Sequence, residues 1–474
     1  MLRYASKHRV ARIDKIAAMQ TDSSLSIARK VAAPRGLTLL TLCLAVLVAQ
    51  IDTAVVNLAT RAIGADLKAG IGALQWIVDS YNLVYAVLLL TGGLLADLYG
   101  RRRIFMAGAG VFTAASLLCA AAPSAAILIA GRALAGLGAA LLIPASLAII
   151  RVVWRDSAER GRALGIWAAC NGVAMAIGPT LGGLLIGRFG WRSIFLVVIP
   201  VGIAAFALAF SAIPESSDPQ GRHFDGAAQC LGATALGGLV FAAIEAHTAP
   251  KLAAIAFTVA AIAFVLFIRV EAGRGEAALV PPGIFRSGTF RGAATATAGM
   301  TFGMYATLFL LPLVWQETGR FSAVAAGVAL MPMALVFVAV SPFSGALVAR
   351  YGARAVATTG VAIIGCGLLL IGAGADRTTI AVTEAGLALT GLGMGFATGP
   401  LMGAAVGAVE AARSGTASAL INVVRMTGAT GGIAILGTAF AMTGGGAGGL
   451  RLAMLAGGVL QILCAAIAWL TMRS

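Results

Sequence analysis

The sequence predicts an all-α integral membrane protein of fourteen transmembrane helices, two six-helix bundles with a helix pair inserted between them. Three observations predict it. Hydrophobic residues make up 60% of the 474 and charged residues only 11%. A soluble globular chain carries roughly 25% charged residues, so this chain cannot cover a water-facing surface. Apolar runs of about 20 residues, the length that crosses a bilayer as a helix, follow one another almost throughout. Finally, a basic turn occurs twice. It reads Gly93-Leu94-Leu95-Ala96-Asp97-Leu98-Tyr99-Gly100-Arg101-Arg102-Arg103 first, then Gly345-Ala346-Leu347-Val348-Ala349-Arg350-Tyr351-Gly352-Ala353-Arg354, with Gly, Leu, Tyr, Gly and Arg at matching positions. Related turns in two halves point to a duplicated bundle, the architecture of many secondary transporters.

In chain order, residues 1–36 form a basic tail (Arg3, Lys7, Arg9, Arg12, Lys15, Arg29, Lys30, Arg35) without the apolar core and cleavage site of a signal peptide. It reads as an interfacial helix or as the product of a start upstream of Met19, and no function is assigned to it. Spans are expected over about 37–60, 73–95, 103–122, 125–150, 163–187, 193–213, 226–246, 251–270, 290–315, 322–348, 354–374, 378–405, 416–440 and 450–472. An even number puts both ends on one side. With the amino end inside, roughly 24 of the 34 Lys and Arg residues fall in cytoplasmic segments and roughly 8 outside. Both termini are therefore expected on the cytoplasmic face of the cell's inner (plasma) membrane. The two basic turns follow the second and tenth spans. Pairing them makes 37–213 one bundle and 290–474 the other, and leaves 214–289 for the inserted pair. Loops at about 214–225 and 271–289 flank that pair, where Pro214, Pro219, Pro281 and Pro282 break helix.

The net charge of +16 reads as a set of topology signals rather than as a nucleic-acid surface. Cys43, Cys119, Cys170, Cys230, Cys366 and Cys464 lie in apolar runs with no C-x-x-C, and His8, His223 and His247 are scattered. Neither disulfides nor a metal site are expected. Gly391, Gly393 and Gly395 lie in an apolar span without a βαβ context, so they read as helix packing. No G-x-x-x-x-G-K-[ST] loop is present to cradle ATP phosphates. No enzyme chemistry and no cofactor are expected. Energy would come from an ion gradient, worth about 2.3 kcal/mol per charge per 100 mV.

Several motifs carry more. Ile51-Asp52-Thr53-Ala54-Val55-Val56-Asn57 puts a carboxylate within the first span, and Trp76-Ile77-Val78-Asp79-Ser80-Tyr81 opens the second. A charge at such depth is costly unless paired, hydrated or protonated. Asp52 also reads as a group merely hydrogen-bonded in the bundle, and Asp79 as one entering from the aqueous edge. Arg132 lies in the fourth span. At a rise of about 1.5 Å per residue, all three lie roughly 9–12 Å in from the outer end, which permits contact. Gly178-Pro179-Thr180-Leu181-Gly182-Gly183 in the fifth span combines a kink with glycines that allow close helix approach.

Together these stretches resemble the major facilitator superfamily, and within it the fourteen-span drug:proton antiporters. The first basic turn is similar to the G-x-L-a-D-r-x-G-r-r signature, and 51–57 to D-x-T-x-V-N. Residues 76–81 are similar to the W-I-V-D-x-Y opening of quaternary-ammonium exporters. Arg132 through Ala140 resembles R-x-x-Q-G-x-G-A, with Ala135 in place of the glutamine, and 178–183 the antiporter motif, with Ala174 at its first glycine. Trp191, Arg192, Ile194, Phe195, Pro200 and Gly202 match the start of the sixth span, where Ser193 and Val198 depart. Pro312, Gln316, Gly319, Gly327 and Pro332, and the run from Gly415 through Ala417, Ser418 and Asn422 to Arg425, match the second half. The resemblance covers nearly everything after residue 36.

It implies a proton-coupled exporter of amphipathic, cationic drugs or toxic compounds, or of one metabolite or antibiotic. Such a protein works in the bilayer on small molecules and protons, as a monomer and without nucleic acid. Asp52, Asp79 and Arg132 would couple the proton, Asp52 carrying it and Asp79 reading the cation, with Glu245 the next candidate. Asp79, Asn57, Tyr81, Tyr305, Gln316, Asn422 and Arg425 would bind substrate. Gly93, Asp97, Gly100, Arg101 and Arg102 would form a cytoplasmic latch between the bundles, or else only a topology anchor. Gly178, Pro179, Gly182 and Gly183 would form the antiporter kink.

Overall fold

Backbone groups in a bilayer must bond within their own segment, and the apolar runs accordingly fold as helices. The computed structural model describes residues 35–217, 225–275, 278, 280–375, 380–410 and 414–472. Residues 1–34 of the basic tail and residues 218–224, which include Pro219 and His223, lie outside the described residues. The first half comprises α1 (Arg35–Leu67), α2 (Ile71–Tyr99), α3 (Arg101–Ala120), α4 (Ala125–Val153), α5 (Ser157–Phe189), the short α6 (Ser193–Leu196) and α7 (Val198–Ala212). Then come α8 (Gly226–Glu245) and α9 (Pro250–Arg274). The second half comprises α10 (Gly288–Glu317), α11 (Ala323–Ala329), α12 (Met331–Val340), α13 (Ser344–Gly374), α14 (Ala381–Gly407), α15 (Ser414–Met442) and α16 (Gly446–Thr471).

Among the described residues, 12 helical segments are long and apolar enough to cross a membrane. One of them, Ala323–Gly374, is 52 residues long, and α5, over the predicted fifth span, is not one of the 12. Prolines account for the breaks. Pro200 has no N–H to offer the Leu196 carbonyl, and the helix expected over 193–213 divides there. Pro332 and Pro342 divide the one expected over 322–348 into α11, α12 and a 3₁₀ turn at Ser341–Phe343. The two basic turns have the same backbone. Gly100 (φ 108°) and Gly352 (φ 82°) both sit where a side chain would be strained.

Within the first half α2 and α3 pack on α4, and α1 on α5 and α7. Within the second, α13 packs on α14 and α16, and α10 on α15 and α16. The helices α8 and α9 pack on each other, and α8 touches both halves. Gln229 Nε2 donates to the Val87 carbonyl of α2 (2.6 Å), and its amide oxygen accepts from Thr91. Thr438 Oγ1 of α15 donates to the Ala243 carbonyl (2.8 Å).

At the end remote from the basic turns the halves are tied together. Gln316 Nε2 of α10 donates to the Leu58 carbonyl of α1 at 3.0 Å. Gln75 Nε2 of α2 donates to the Ile433 and Ala434 carbonyls of α15 at 2.9 and 3.1 Å.

Candidate transport site

The centre of the site is a buried ion pair. Arg132, 1% exposed, comes from α4 and places Nη1 on Asp52 Oδ2 of α1. Its Nε donates to the Ile77 carbonyl of α2 (3.2 Å), and its guanidinium lies 4.6 Å from the centre of the Tyr81 ring. A guanidinium tolerates burial when its donors and its charge are met, and here a carboxylate, a carbonyl and an aromatic face meet them. Tyr81 in turn meets Phe112 of α3 edge-on at 6.5 Å. Asp52 of α1 and Arg132 of α4 are thus in contact, as the helical-rise arithmetic allowed.

Asp79 is the exception. It is 0% exposed, so it does not enter from the aqueous edge, because α15 covers this part of α2. Neither of its oxygens has a hydrogen-bond partner among the described residues. An ionised carboxylate so placed would be strongly unfavourable, and the neutral acid is the form compatible with this arrangement.

The other expected residues divide. Asn57 is buried, its Nδ2 donating to the Thr53 carbonyl (3.3 Å) while Oδ1 has no hydrogen-bond partner among the described residues. Arg425 is half-buried on α15, within electrostatic reach of Tyr85 and Tyr305, and its Nε is buried without a hydrogen-bond partner among the described residues. Tyr305 is half-buried and packs against the cores of both halves. Asn422 bonds back to the Ser418 carbonyl (3.0 Å). Gln316, expected to meet substrate, is instead a tie between the halves, because its amide is spent on Leu58. Glu245 ends α8, its carboxylate accepting from Thr248 at 2.5 Å.

The 178–183 stretch has two working faces. Gly178 and Gly182 lie on α1, where an added Cβ would come within 2.8 Å of Ala54 Cβ and 2.4 Å of Val55 Cγ1. Gly183 and the Pro179 carbonyl lie on α11. A Cβ on Gly183 would stand 2.7 Å from the Ala323 oxygen, and one on Gly327 2.2 Å from the Pro179 oxygen. The motif therefore closes the remote end by backbone-to-backbone contact. Gly327→Leu should hold that end apart. Transport should fall at least about tenfold (about 1.4 kcal/mol), and a cysteine near Val324 should gain reactivity to an impermeant thiol reagent. Unchanged labelling would remove the gate role.

The basic turn is bonded to its own half. Asp97 Oδ1 accepts from Arg101 Nε and Nη2 at 3.1 and 2.8 Å. Arg102 and Arg103 each lie 3.7 Å from Glu215 Oε2, just beyond α7. The Arg102 N–H donates to Glu215 Oε1 (3.1 Å) and the Arg101 N–H to the Ser216 carbonyl (2.8 Å). These bonds join α2 and α3 to α7 rather than one half to the other. Gly93 packs on Pro144 of α4. In the second copy Ala349 offers no carboxylate, and Arg354 instead lies 4.3 Å over the Trp469 ring of α16. Asp97→Asn should therefore reduce transport several-fold while membrane insertion is intact, and Ala349→Asp should not replace it. Full transport in Asp97→Asn would leave the turn a topology signal.

Sequence reasoning missed Gln75, Glu215 and Asp66. Asp66 accepts from Trp191 Nε1 (3.0 Å) and Arg192 Nη1 (2.6 Å), pinning the end of α1 remote from the basic turns. A lone carboxylate beside a span end carries no periodic signal. The neighbouring Trp-Arg pair was the available clue.

Comparison with known proteins agrees with this architecture. The family model for the Major Facilitator Superfamily matches residues 42–433. The chain is 35% identical over 409 residues to the multidrug resistance protein Stp of Mycobacterium tuberculosis (strain CDC 1551 / Oshkosh), covering 85% of this chain and 76% of that one. It is 34% identical over 441 residues to the methylenomycin A resistance protein of Bacillus subtilis (strain 168), covering 91% and 93%. In fold it is similar to the POT family transporter PepTSo, with a TM-score of 0.69 at 14% identity over 92% of this chain and 97% of that one. The chain belongs to the Major Facilitator Superfamily, and it is a membrane transporter rather than an enzyme.

Proposed function

We propose that the protein is a proton-coupled exporter of amphipathic, cationic drugs or toxic compounds, working as a monomer in the plasma membrane. One observation carries the coupling: Asp79 is a fully buried carboxyl without a hydrogen-bond partner among the described residues, whereas Asp52 is already neutralised by Arg132. Asp79 is the group that can take a proton on one side and release it on the other. This exchanges the roles expected from sequence. Asp79 carries the proton, and Asp52 holds Arg132 in place. A cationic substrate in reach of Asp79 competes with the proton, which yields exchange without a further device. The name of the relative Stp supports a multidrug range. The name of the methylenomycin A relative, matched over 93% of its length, supports the second reading, export of one dedicated antibiotic or metabolite.

The reading takes fourteen spans: the 12 segments, α5, and a division of Ala323–Gly374 at Gly352. Residues 37–213 and 290–474 rock about the inserted pair in 214–289. Both termini and the basic turns face the cytoplasm, so the ties at Gln75, Gln316 and Gly327 close the outer side. Cells with and without the protein, challenged with a panel of dyes, quaternary ammonium compounds and antibiotics with and without a protonophore, test the function. Uncoupler-sensitive protection against several cations supports the first reading. Protection against one compound alone selects the second. No protection contradicts both. Labelling of a cysteine at 444–449 from outside, and none at 214–217, is the expected topology.

A further inference from the structure

The two basic turns share a backbone but not a charge balance. In the first, Arg102 stands two residues after Gly100 and lies 3.7 Å from Glu215, just beyond the end of α7, the last helix of its half. Arg101 and Arg103 also meet carboxylates, Asp97 at 2.8 Å and Glu215 at 3.7 Å. In the second, Arg354 stands two residues after Gly352 and again meets the last helix of its half. There the partner is an indole: the Arg354 guanidinium lies 4.3 Å from the centre of the Trp469 ring, in the last turn of α16. An aromatic face attracts a cation without neutralising it. The Arg354 side chain forms no hydrogen bond or ion pair among the described residues, and its Nε is buried without a hydrogen-bond partner. Arg350 of the same turn is exposed, and among the described residues its one side-chain partner is another ring, that of Tyr351 at 5.2 Å.

The surroundings identify what can supply the missing negative charge. Trp469 is 45% exposed, and its neighbours Ile467 and Leu470 are exposed as well. On a membrane helix such side chains face acyl chains. Trp469 stands two residues before the end of α16, level with the basic turn. Tryptophan collects at that depth, where the hydrocarbon meets the headgroups. An arginine there lays its stem on apolar surface and carries its charge to the polar layer. The anions of that layer are lipid phosphates. A zwitterionic headgroup holds its own cation beside the phosphate, whereas a net anionic one leaves the phosphate free for a guanidinium.

We propose that Arg354 and Trp469 form a binding site for one anionic phospholipid at the basic end of the second half. The lipid phosphate accepts charge-assisted hydrogen bonds from the Arg354 guanidinium, and the first part of an acyl chain lies along the exposed indole. Arg350, four residues earlier in the same turn, adds a second cation to the field at the phosphate. The lipid does for the second turn what Glu215 does for the first: it places a negative charge where the turn meets the last helix. The difference between Asp97 and Ala349 follows the same division. The first turn carries its anions in the chain, and the second takes one from the bilayer. The inference requires only that the chain is embedded in a membrane, and it is independent of the coupling role of Asp79.

The test uses the full-length protein in phosphatidylcholine liposomes in which a small fraction of the lipid carries brominated acyl chains, as phosphatidylglycerol or as phosphatidylcholine. Bromine quenches a nearby indole, and the part of the quenching that Trp469→Phe removes reports on Trp469. Brominated phosphatidylglycerol should occupy that position about fivefold more readily than brominated phosphatidylcholine, the factor that about 1 kcal/mol per basic residue at a lipid surface gives. Arg354→Gln should bring the ratio to within about twofold of one. Arg162→Gln, which removes an exposed arginine from the same end of α5, should leave it near its parent value. In mixed micelles phosphatidylglycerol should raise the thermal midpoint of the parent by about 2 °C and that of Arg354→Gln by less than half as much, and soluble glycerol phosphate should raise neither. Equal quenching of Trp469 by the two lipids in the parent protein overturns the site, whatever the variants do. An equal loss of preference in Arg162→Gln overturns it too, because the effect then belongs to the charge of the whole surface. A midpoint shift as large with glycerol phosphate as with the lipid would make this a site for free phosphate and overturn the lipid assignment.

Discussion

Replacing Arg132 by Met should destabilise the protein by about 3–5 kcal/mol, the cost of leaving one member of a buried ion pair without its partner. The carboxylate of Asp52 is enclosed at the level of Ile77 and Tyr81, so water cannot replace the guanidinium without opening the packing of α1, α2 and α4. The Tyr81 contact adds roughly 0.5–2 kcal/mol to the loss. Asp52→Asn should cost less than Arg132→Met, because Arg132 keeps the Ile77 carbonyl and the Tyr81 face. The double variant Asp52→Asn/Arg132→Met should recover most of the stability, since no buried charge is then left over, and should still fail to transport. Folded fraction in a mixed-micelle denaturant titration separates these outcomes. Equal stability of Arg132→Met and the parent would mean that the pair is not formed in the bilayer.

Asp79→Asn should abolish proton-driven accumulation while leaving the fold and the ties at Gln75 and Gln316 intact. The amide is nearly isosteric with the neutral acid and fits the same buried seam, but it has no proton to exchange. Substrate binding in detergent should change by less than about tenfold for neutral compounds and more for cationic ones, since only the latter gain from a carboxylate. A pH jump that opens the outer side of the parent should leave Asp79→Asn shut. Accumulation at a tenth or more of the parent rate would place the proton elsewhere, with Asp52 and Glu245 next.

Much of this was legible in the sequence because bilayer physics leaves few options. Helix positions followed from apolar length, and rise per residue allowed the contact between Asp52 and Arg132. What the sequence hid was the pairing. Asp52 and Asp79 are equal candidates for one arginine by depth, and only the lateral packing of α4 against α1 and α2 decides between them. Gln316 came as a substrate ligand with the family resemblance; its bond to Leu58 depends on which carbonyl of the other half lies opposite. Glu215 sits in an irregular loop, where no period predicts a contact. The single helix assigned over 193–213 was broken by Pro200, a signal present in the sequence whose geometric effect depends on how the neighbouring turn packs.

An inward flow of protons is expected to drive substrate outward. The most direct measurement takes the purified protein alone in inverted proteoliposomes, imposes a pH gradient acid inside with no ATP, and follows a fluorescent cationic substrate and internal pH together. Substrate accumulation should begin with the gradient, discharge protons from the lumen in step and stop on addition of a protonophore. Accumulation that is indifferent to the pH gradient, or proton discharge that is the same with and without substrate, would contradict it.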